Sequence, residues 1–168
     1  WDGGVNDDIL LEEASKKIVE LHSESQKFNV TIMTVDNHAS DGFLSPRCET
    51  NKLNPQIAKV IKCTNRFISK FIKNLEKEGV FENTVLVIMG DHNFMGTIGD
   101  QGFGTREIYF NYYGDLSNSS KLYKNKLNHF DVFPTIIQLA LGAKLPTAHL
   151  GYNIFNSQLN VSTKIESY

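Results

Sequence analysis

The chain has 168 residues, 40% hydrophobic and 21% charged, with a formal charge of −2 at pH 7. This composition argues against intrinsic disorder, and a chain of about 150 residues buries roughly 70% of its unfolded surface, so a sizeable single core is expected. Backbone recognition of nucleic acid requires clustered Lys and Arg, and the small patch of Lys121, Lys124 and Lys126 reads as solvated surface, so no nucleic-acid partner is expected.

In chain order, Asn6 or Asp7 is placed to cap a first helix over 7–25, with apolar Ile9, Leu10, Ala14, Ile18 and Leu21 recurring every ~3.6 residues. Glu12 and Glu13 early and Lys16 and Lys17 later complement the helix dipole. The run FNVTIMTV, 28–35, is short and β-branched, and predicts a buried strand that stops at Asp36-Asn37-His38. Residues 39–54, with Gly42 and Pro46, predict an irregular excursion.

Pro55 opens a long helix whose apolar face is Ile57, Val60, Ile61, Thr64, Phe67, Ile68, Phe71, Ile72 and Leu75, and Gly79 stops it. Residues 84–89 predict a second strand, apolar enough to be covered on both faces as in a parallel sheet. Residues 107–113 predict a third. Asp131 is placed to cap a last helix, with Pro134 in its first turn and Gly142 at its end.

Regularity fades from about Leu145, dividing the chain into a domain over 1–156 and a tail over 157–168. The order of elements predicts an α/β fold with part of a largely parallel sheet flanked by helices. Three strands leave sheet edges in want of partners. Together with the missing initiator Met at Trp1 and the lack of a leader segment, this leads us to expect a longer parent protein. The longest apolar runs fall far short of the ~20 residues that span a bilayer.

Open α/β sheets gather ligands beyond the carboxyl ends of their strands. Two predicted strands end there in chemistry-bearing residues, Asp36-Asn37-His38 and Asp91-His92. Gly90 is expected to turn the backbone so that Asp91 and His92 face one site. A carboxylate oxygen and an imidazole nitrogen suit Mn²⁺ or Zn²⁺, although two donors do not close a site. The competing reading makes Asp91 a turn cap, His92 a surface imidazole and His38 a loop histidine bonded to nearby backbone. Spacing alone leaves both open, although GDHNFMGTIGDQGFG has the composition of an active-site loop. Cys48 and Cys63 can form a single disulfide or stay reduced. His22 and His149 carry no motif, and three glycosylation sequons, at Asn29, Asn118 and Asn160, are read as chance.

The run NTVLVIMGDHNF resembles the metal-binding strand end of the alkaline phosphatase and sulfatase superfamily, in particular the membrane-anchored phosphoglycerol transferases and lipoteichoic acid synthases. TVDNHASDGFLSPRC, RFISKFIKNLEKEGVFENT, NHFDVFPTIIQLALGA and LGYNIF are similar, in order and spacing, to further segments of those enzymes. The resemblance covers residues 1–156 and is nearest to the type that modifies periplasmic glucans. It implies the C-terminal part of a sulfatase-like catalytic domain.

By that resemblance, Asp91 and His92 match two ligands of the catalytic divalent ion, Mn²⁺ foremost, with Mg²⁺ or Zn²⁺ as alternatives. His38 matches a histidine that contacts the substrate phosphate, and Arg106 stands where the glucan-modifying relatives carry an arginine, implying a second phosphate contact. His129 matches the start of a helix segment and is read as serving helix initiation or packing. Cys48 and Cys63 recur in similar context, which implies a disulfide and an oxidising periplasmic or extracytoplasmic location, tethered by transmembrane helices outside this chain.

The family's nucleophilic threonine, its acidic N-terminal metal ligand and its head-group tryptophan all lie upstream of the matched segments, so Trp1 inherits no role. Asn93-Phe94-Met95-Gly96 lacks the serine of the synthases, which favours the glucan-modifying type. The implied function is transfer of phosphoglycerol from a phosphatidylglycerol-type donor to a glycan or teichoic-acid-like acceptor. The implied partners are the phospholipid head group, the glycan acceptor and the missing N-terminal part of the domain, and this chain alone is expected to be inactive. Rival readings are a sulfatase or phosphoethanolamine transferase, and a non-catalytic half-domain with a binding role.

Overall fold

Apolar side chains spaced at three and four residues lie on one side of a helix, and the second helix of the protein shows how strongly that organises the fold. The computed structural model describes residues 4–24, 27–38, 41–49, 56–92, 108–114, 127–142, 147–148 and 150–155. They form α1 (Asp7–Ser23), α2 (Gln56–Lys77), a 3₁₀ turn (Val80–Glu82), β1 (Leu86–Met89), β2 (Phe110–Tyr113), α3 (His129–Leu141), β3 (Thr147–Ala148) and β4 (Gly151–Tyr152). The chain divides into two units, Trp1–Glu82 with Met89–Phe110, and Asn83–Ile88 with Asn111–Tyr168.

In the first unit α2 buries Ile57, Val60, Cys63, Thr64, Phe71 and Leu75, the centre of the predicted face. Helix α1 packs on it through Leu11 and Ile18, and Val80 of the 3₁₀ turn closes the core. Asn74 Nδ2 donates to Ser15 Oγ at 2.7 Å and ties the two helices where their faces turn polar. Gly79, at φ 71°, ends α2 as expected, while Pro55 lies outside the described residues.

The buried face of α1 differs from the expected one. Asp7, Asp8, Leu11, Ser15 and Ile18 are buried, and Ile9 is exposed. The polar partners of Asp7 set that rotation, as described below, because an unpaired buried carboxylate costs more than the exposure of one isoleucine.

The run 28–35 belongs to no strand among the described residues, and Met33 is 86% exposed. The expectation of a buried strand fails there. Propensity favours an extended chain, but a strand exists only where a neighbour completes the hydrogen-bond ladder.

β1 pairs with β2, and both are only partly buried, where burial on both faces was expected of β1. Predicted residue Glu107 lies outside the described residues. In the second unit the N-cap of α3 is Asn128. Asp131, expected to cap, is instead the third helical residue of a capping box, with Asn128 N–H donating to Asp131 Oδ2 at 2.9 Å.

β3 and β4, which the sequence did not announce, pair antiparallel as Thr147 with Tyr152 and Ala148 with Gly151. They dock on α3 because Tyr152 N–H donates to the other oxygen of Asp131 at 2.7 Å. A side chain on Gly151 would collide with the Phe130 carbonyl, so this contact admits only glycine. The sheets described are thus two pairs, and the tail 157–168 lies outside the described residues. Among the described residues no helix is long and apolar enough to cross a membrane.

Candidate functional site

β1 delivers the chain to Gly90, whose N–H donates to the Tyr109 carbonyl at 2.9 Å. Asp91 and His92 follow, exposed, with 88% and 56% of their side chains open to solvent. Their side chains converge. His92 Nε2 lies 3.4 Å from Asp91 Oδ2, while His92 N–H donates to Asp91 Oδ1 at 2.9 Å.

Gly90 is not the cause of that convergence. Its φ is not positive, and an added Cβ would rest 3.4 Å from Ile108 Cβ, an ordinary contact. The turn comes from Asp91 itself, whose carboxylate captures the next amide, the local side-chain to backbone bond that aspartate favours.

An imidazole nitrogen and a carboxylate oxygen side by side form a donor pair of the kind Mn²⁺ and Zn²⁺ accept. The pair fits a divalent ion as part of a shell. Among the described residues no third His, Cys, Asp or Glu joins them in a group able to hold one.

His38 is exposed, at the end of a turn closed by its own N–H on the Val35 carbonyl at 2.9 Å. Arg106 lies outside the described residues. His129 occupies the first position of α3, where it is exposed.

Asp36, two residues before His38, is directed inward and only 2% exposed. Its carboxylate accepts from Asp7 N–H at 3.2 Å and from Asn6 Nδ2 at 3.1 Å. Reciprocally, the Asp7 carboxylate accepts from Val35 N–H at 2.8 Å and from Asp36 N–H at 3.3 Å. A carboxylate 29 residues away thus serves the first amide of α1, and the Asn6 side chain makes no cap bond of its own. Asp8, also buried, faces Arg47 Nε at 3.2 Å.

Burial raises the Asp7 carboxyl above its ordinary 3.8; the nearby charges of Asp36 and Asp8 add to the rise, and the Val35 and Asp36 amides oppose it. Asp36 is raised too, by burial and by Asp8, against the bonds from Asn6 and Asp7.

A group with a raised native value binds its proton more tightly in the folded state. Its contribution to stability is therefore full below 3.8 and is lost as pH rises through the elevated value. Asp7→Asn keeps an acceptor oxygen and removes the charge. Its urea midpoint is expected to exceed that of the wild type at neutral pH and to approach it as the pH falls toward 3.8; parallel curves would count against a buried, charged Asp7.

The Cys48 and Cys63 sulfurs are joined, with Cα atoms 5.9 Å apart, so the disulfide implied by the resemblance is present. It pins the 41–49 segment to α2. Arg47 crosses from that segment to Glu12 of α1 at 3.0 Å, and Arg66 of α2 donates to the Arg47 carbonyl at 3.2 Å.

A model of the sulfatase family matches residues 2–143. The chain belongs to the sulfatase family. Within it, this sulfatase-family chain is 36% identical over 96 residues to phosphoglycerol transferase I of Escherichia coli (strain 55989 / EAEC). The proteins of the same name from Citrobacter koseri and Escherichia fergusonii are 35% identical over 96 residues. Each match covers 54% of the sulfatase-family chain and 13% of the relative. No solved structure matches it.

The reciprocal bonds of Asp7 and Asp36 escaped sequence reasoning. The available signal was an Asp-Asp pair at a helix start, which reads as dipole compensation on an exposed first turn.

Proposed function

We propose that the chain is the C-terminal portion of a metal-dependent transferase that moves phosphoglycerol from a phosphatidylglycerol-type donor to a glycan or teichoic-acid-like acceptor. The observation that carries this reading is the similarity to phosphoglycerol transferase I over 96 residues. The convergence of Asp91 and His92 at a strand end agrees with it. In this reading a largely parallel sheet draws strands from the rest of the intact protein, in keeping with the run 28–35, which forms no strand among the described residues.

Asp91 and His92 would be two of the ligands of a divalent ion, Mn²⁺ foremost, with Mg²⁺ or Zn²⁺ as alternatives. When bound, such an ion offsets negative charge and makes a hydroxyl a better nucleophile at neutral pH. His38 donates a hydrogen bond to a non-bridging phosphoryl oxygen, and Arg106 pairs with another, so charge that spreads over these oxygens during displacement meets fixed donors.

A threonine hydroxyl supplied from outside this chain attacks the phosphorus and diacylglycerol leaves with the bridging oxygen and a proton. An acceptor hydroxyl then takes the phosphoglycerol and restores the threonine. The disulfide is in keeping with an extracytoplasmic location.

The broader sulfatase description of the family favours one rival, a sulfate-ester hydrolase. Incubation of the intact protein with phosphatidylglycerol vesicles, a β-glucan and Mn²⁺ is expected to release diacylglycerol and label the glucan with phosphoglycerol. Release of sulfate from an aryl sulfate with no diacylglycerol formed would overturn the reading in favour of the rival.

A further inference from the structure

His38 is carried by a turn, and a turn holds a side chain only as firmly as its supports hold the backbone. The supports converge on Asp36. Besides its carboxylate and its N–H, both engaged with the first turn of α1, Asp36 uses its carbonyl oxygen to accept from Phe43 N–H at 2.7 Å.

Gly42 lies against that same oxygen. It has φ +69°, and a Cβ there would fall 2.7 Å from Asp36 O, 3.0 Å from Ile57 Cδ1 and 3.1 Å from Val60 Cγ1. Only glycine lets the returning chain pass between Asp36 and α2. All the backbone polar groups of Asp36 are thus fixed, two residues before His38.

The arrangement is expensive for mere stability. Two carboxylates sit side by side, 0% and 2% exposed, where apolar packing would cost less. Each is satisfied by amides of the other's segment, so the two segments hold one relative placement and few others. The negative charge of Asp36 also meets the N-terminal end of the α1 dipole.

We propose that the reciprocal carboxylate–amide lock of Asp7 and Asp36 is the positioning device for His38, fixing the turn 35–38 to α1 so that the imidazole meets the substrate phosphate. This rests on the reading of His38 as a phosphate contact. Asp7 and Asp36 touch no substrate; they act through the backbone that presents His38.

The test is a double-mutant cycle in the intact protein, reading diacylglycerol release from phosphatidylglycerol vesicles. Asp7→Ala is expected to lower kcat/KM roughly 10- to 100-fold, the scale of a catalytic group displaced by about 1 Å, with manganese affinity unchanged. Asp7→Asn retains an oxygen acceptor for Val35 N–H and is expected to recover most of the loss.

In a His38→Ala background, Asp7→Ala is expected to cost nothing further, because the group it positions is gone. An equal penalty in both backgrounds, or none in the wild type, overturns the lock. Full activity of His38→Ala alone overturns the phosphate role of His38 and the proposal with it, so the two failures are told apart. Should Asp7→Ala not fold, Asn6→Ala removes only the 3.1 Å bond to Asp36. A smaller loss that vanishes without His38 supports the lock, and a loss that persists, or no loss, overturns it.

Discussion

Replacing Asp91 or His92 by alanine is expected to abolish most of the manganese affinity of the intact protein. Removal of a partner that merely orients a metal ligand costs about 10- to 100-fold in affinity, and loss of a direct donor should cost at least as much. Calorimetric titration of each variant measures it. Both side chains are exposed, so alanine removes a donor without opening a cavity in the core. Unaltered thermal unfolding with lost affinity is therefore the expected combination. Two variants that bind manganese as tightly as the wild type would remove the pair from the metal site. The 3.4 Å approach of imidazole to carboxylate would then be no more than a surface contact, worth little in water.

Cys48→Ser with Cys63→Ser is expected to have the largest effect on stability. The bond spans a sequence separation of 15 residues, and a closed loop of that length stabilises by ~3 kcal/mol through the entropy of the unfolded chain. For a chain of this size that amounts to a fall in the unfolding midpoint of roughly 6 to 12 °C, measurable by circular dichroism and reproduced by a thiol reductant on the wild type.

The other ties of the 41–49 segment cannot substitute. Arg47 to Glu12 and Arg66 to the Arg47 carbonyl are exposed, and such contacts are screened by solvent. Freed from α2, the segment also loosens the packing of Gly42 on Asp36, and with it the support of His38. A midpoint insensitive to reductant would show that the bond does not contribute.

Legibility followed the range of the interaction responsible. The apolar face of α2 could be read because its period is a property of the helix itself, and α2 repeats that face over six turns. Gly79 and Gly142 marked helix ends for an equally local reason, the positive φ that glycine adopts without a clash. Asp91 and His92 stood out because an apolar run stops abruptly at them, and the structure does draw them together, though through the carboxylate of Asp91 and not through Gly90.

The face of α1 was misjudged for a reason of a different kind. Period analysis ranks side chains by hydropathy, and the groups that orient this helix are Asp7 and Asp8, which hydropathy assigns to solvent. The same blindness hid the docking of β3 and β4, since Asp131 holds Asn128 on one side and Tyr152 on the other.

The sequence by itself determined the three helices within a few residues, the pair of cysteines available for a bond, the residues that end β1, and the family to which they point. Those features depend on neighbours three or four positions apart, or on the chemistry of the residue alone. Only the tertiary structure decided that Asp36 caps α1 from 29 residues away, that Asp131 belongs inside its helix, and that 28–35 forms no strand among the described residues. Each of those outcomes turns on which backbone amide or carbonyl a distant segment offers, and hydrogen bonds between remote segments leave no periodic trace in the chain.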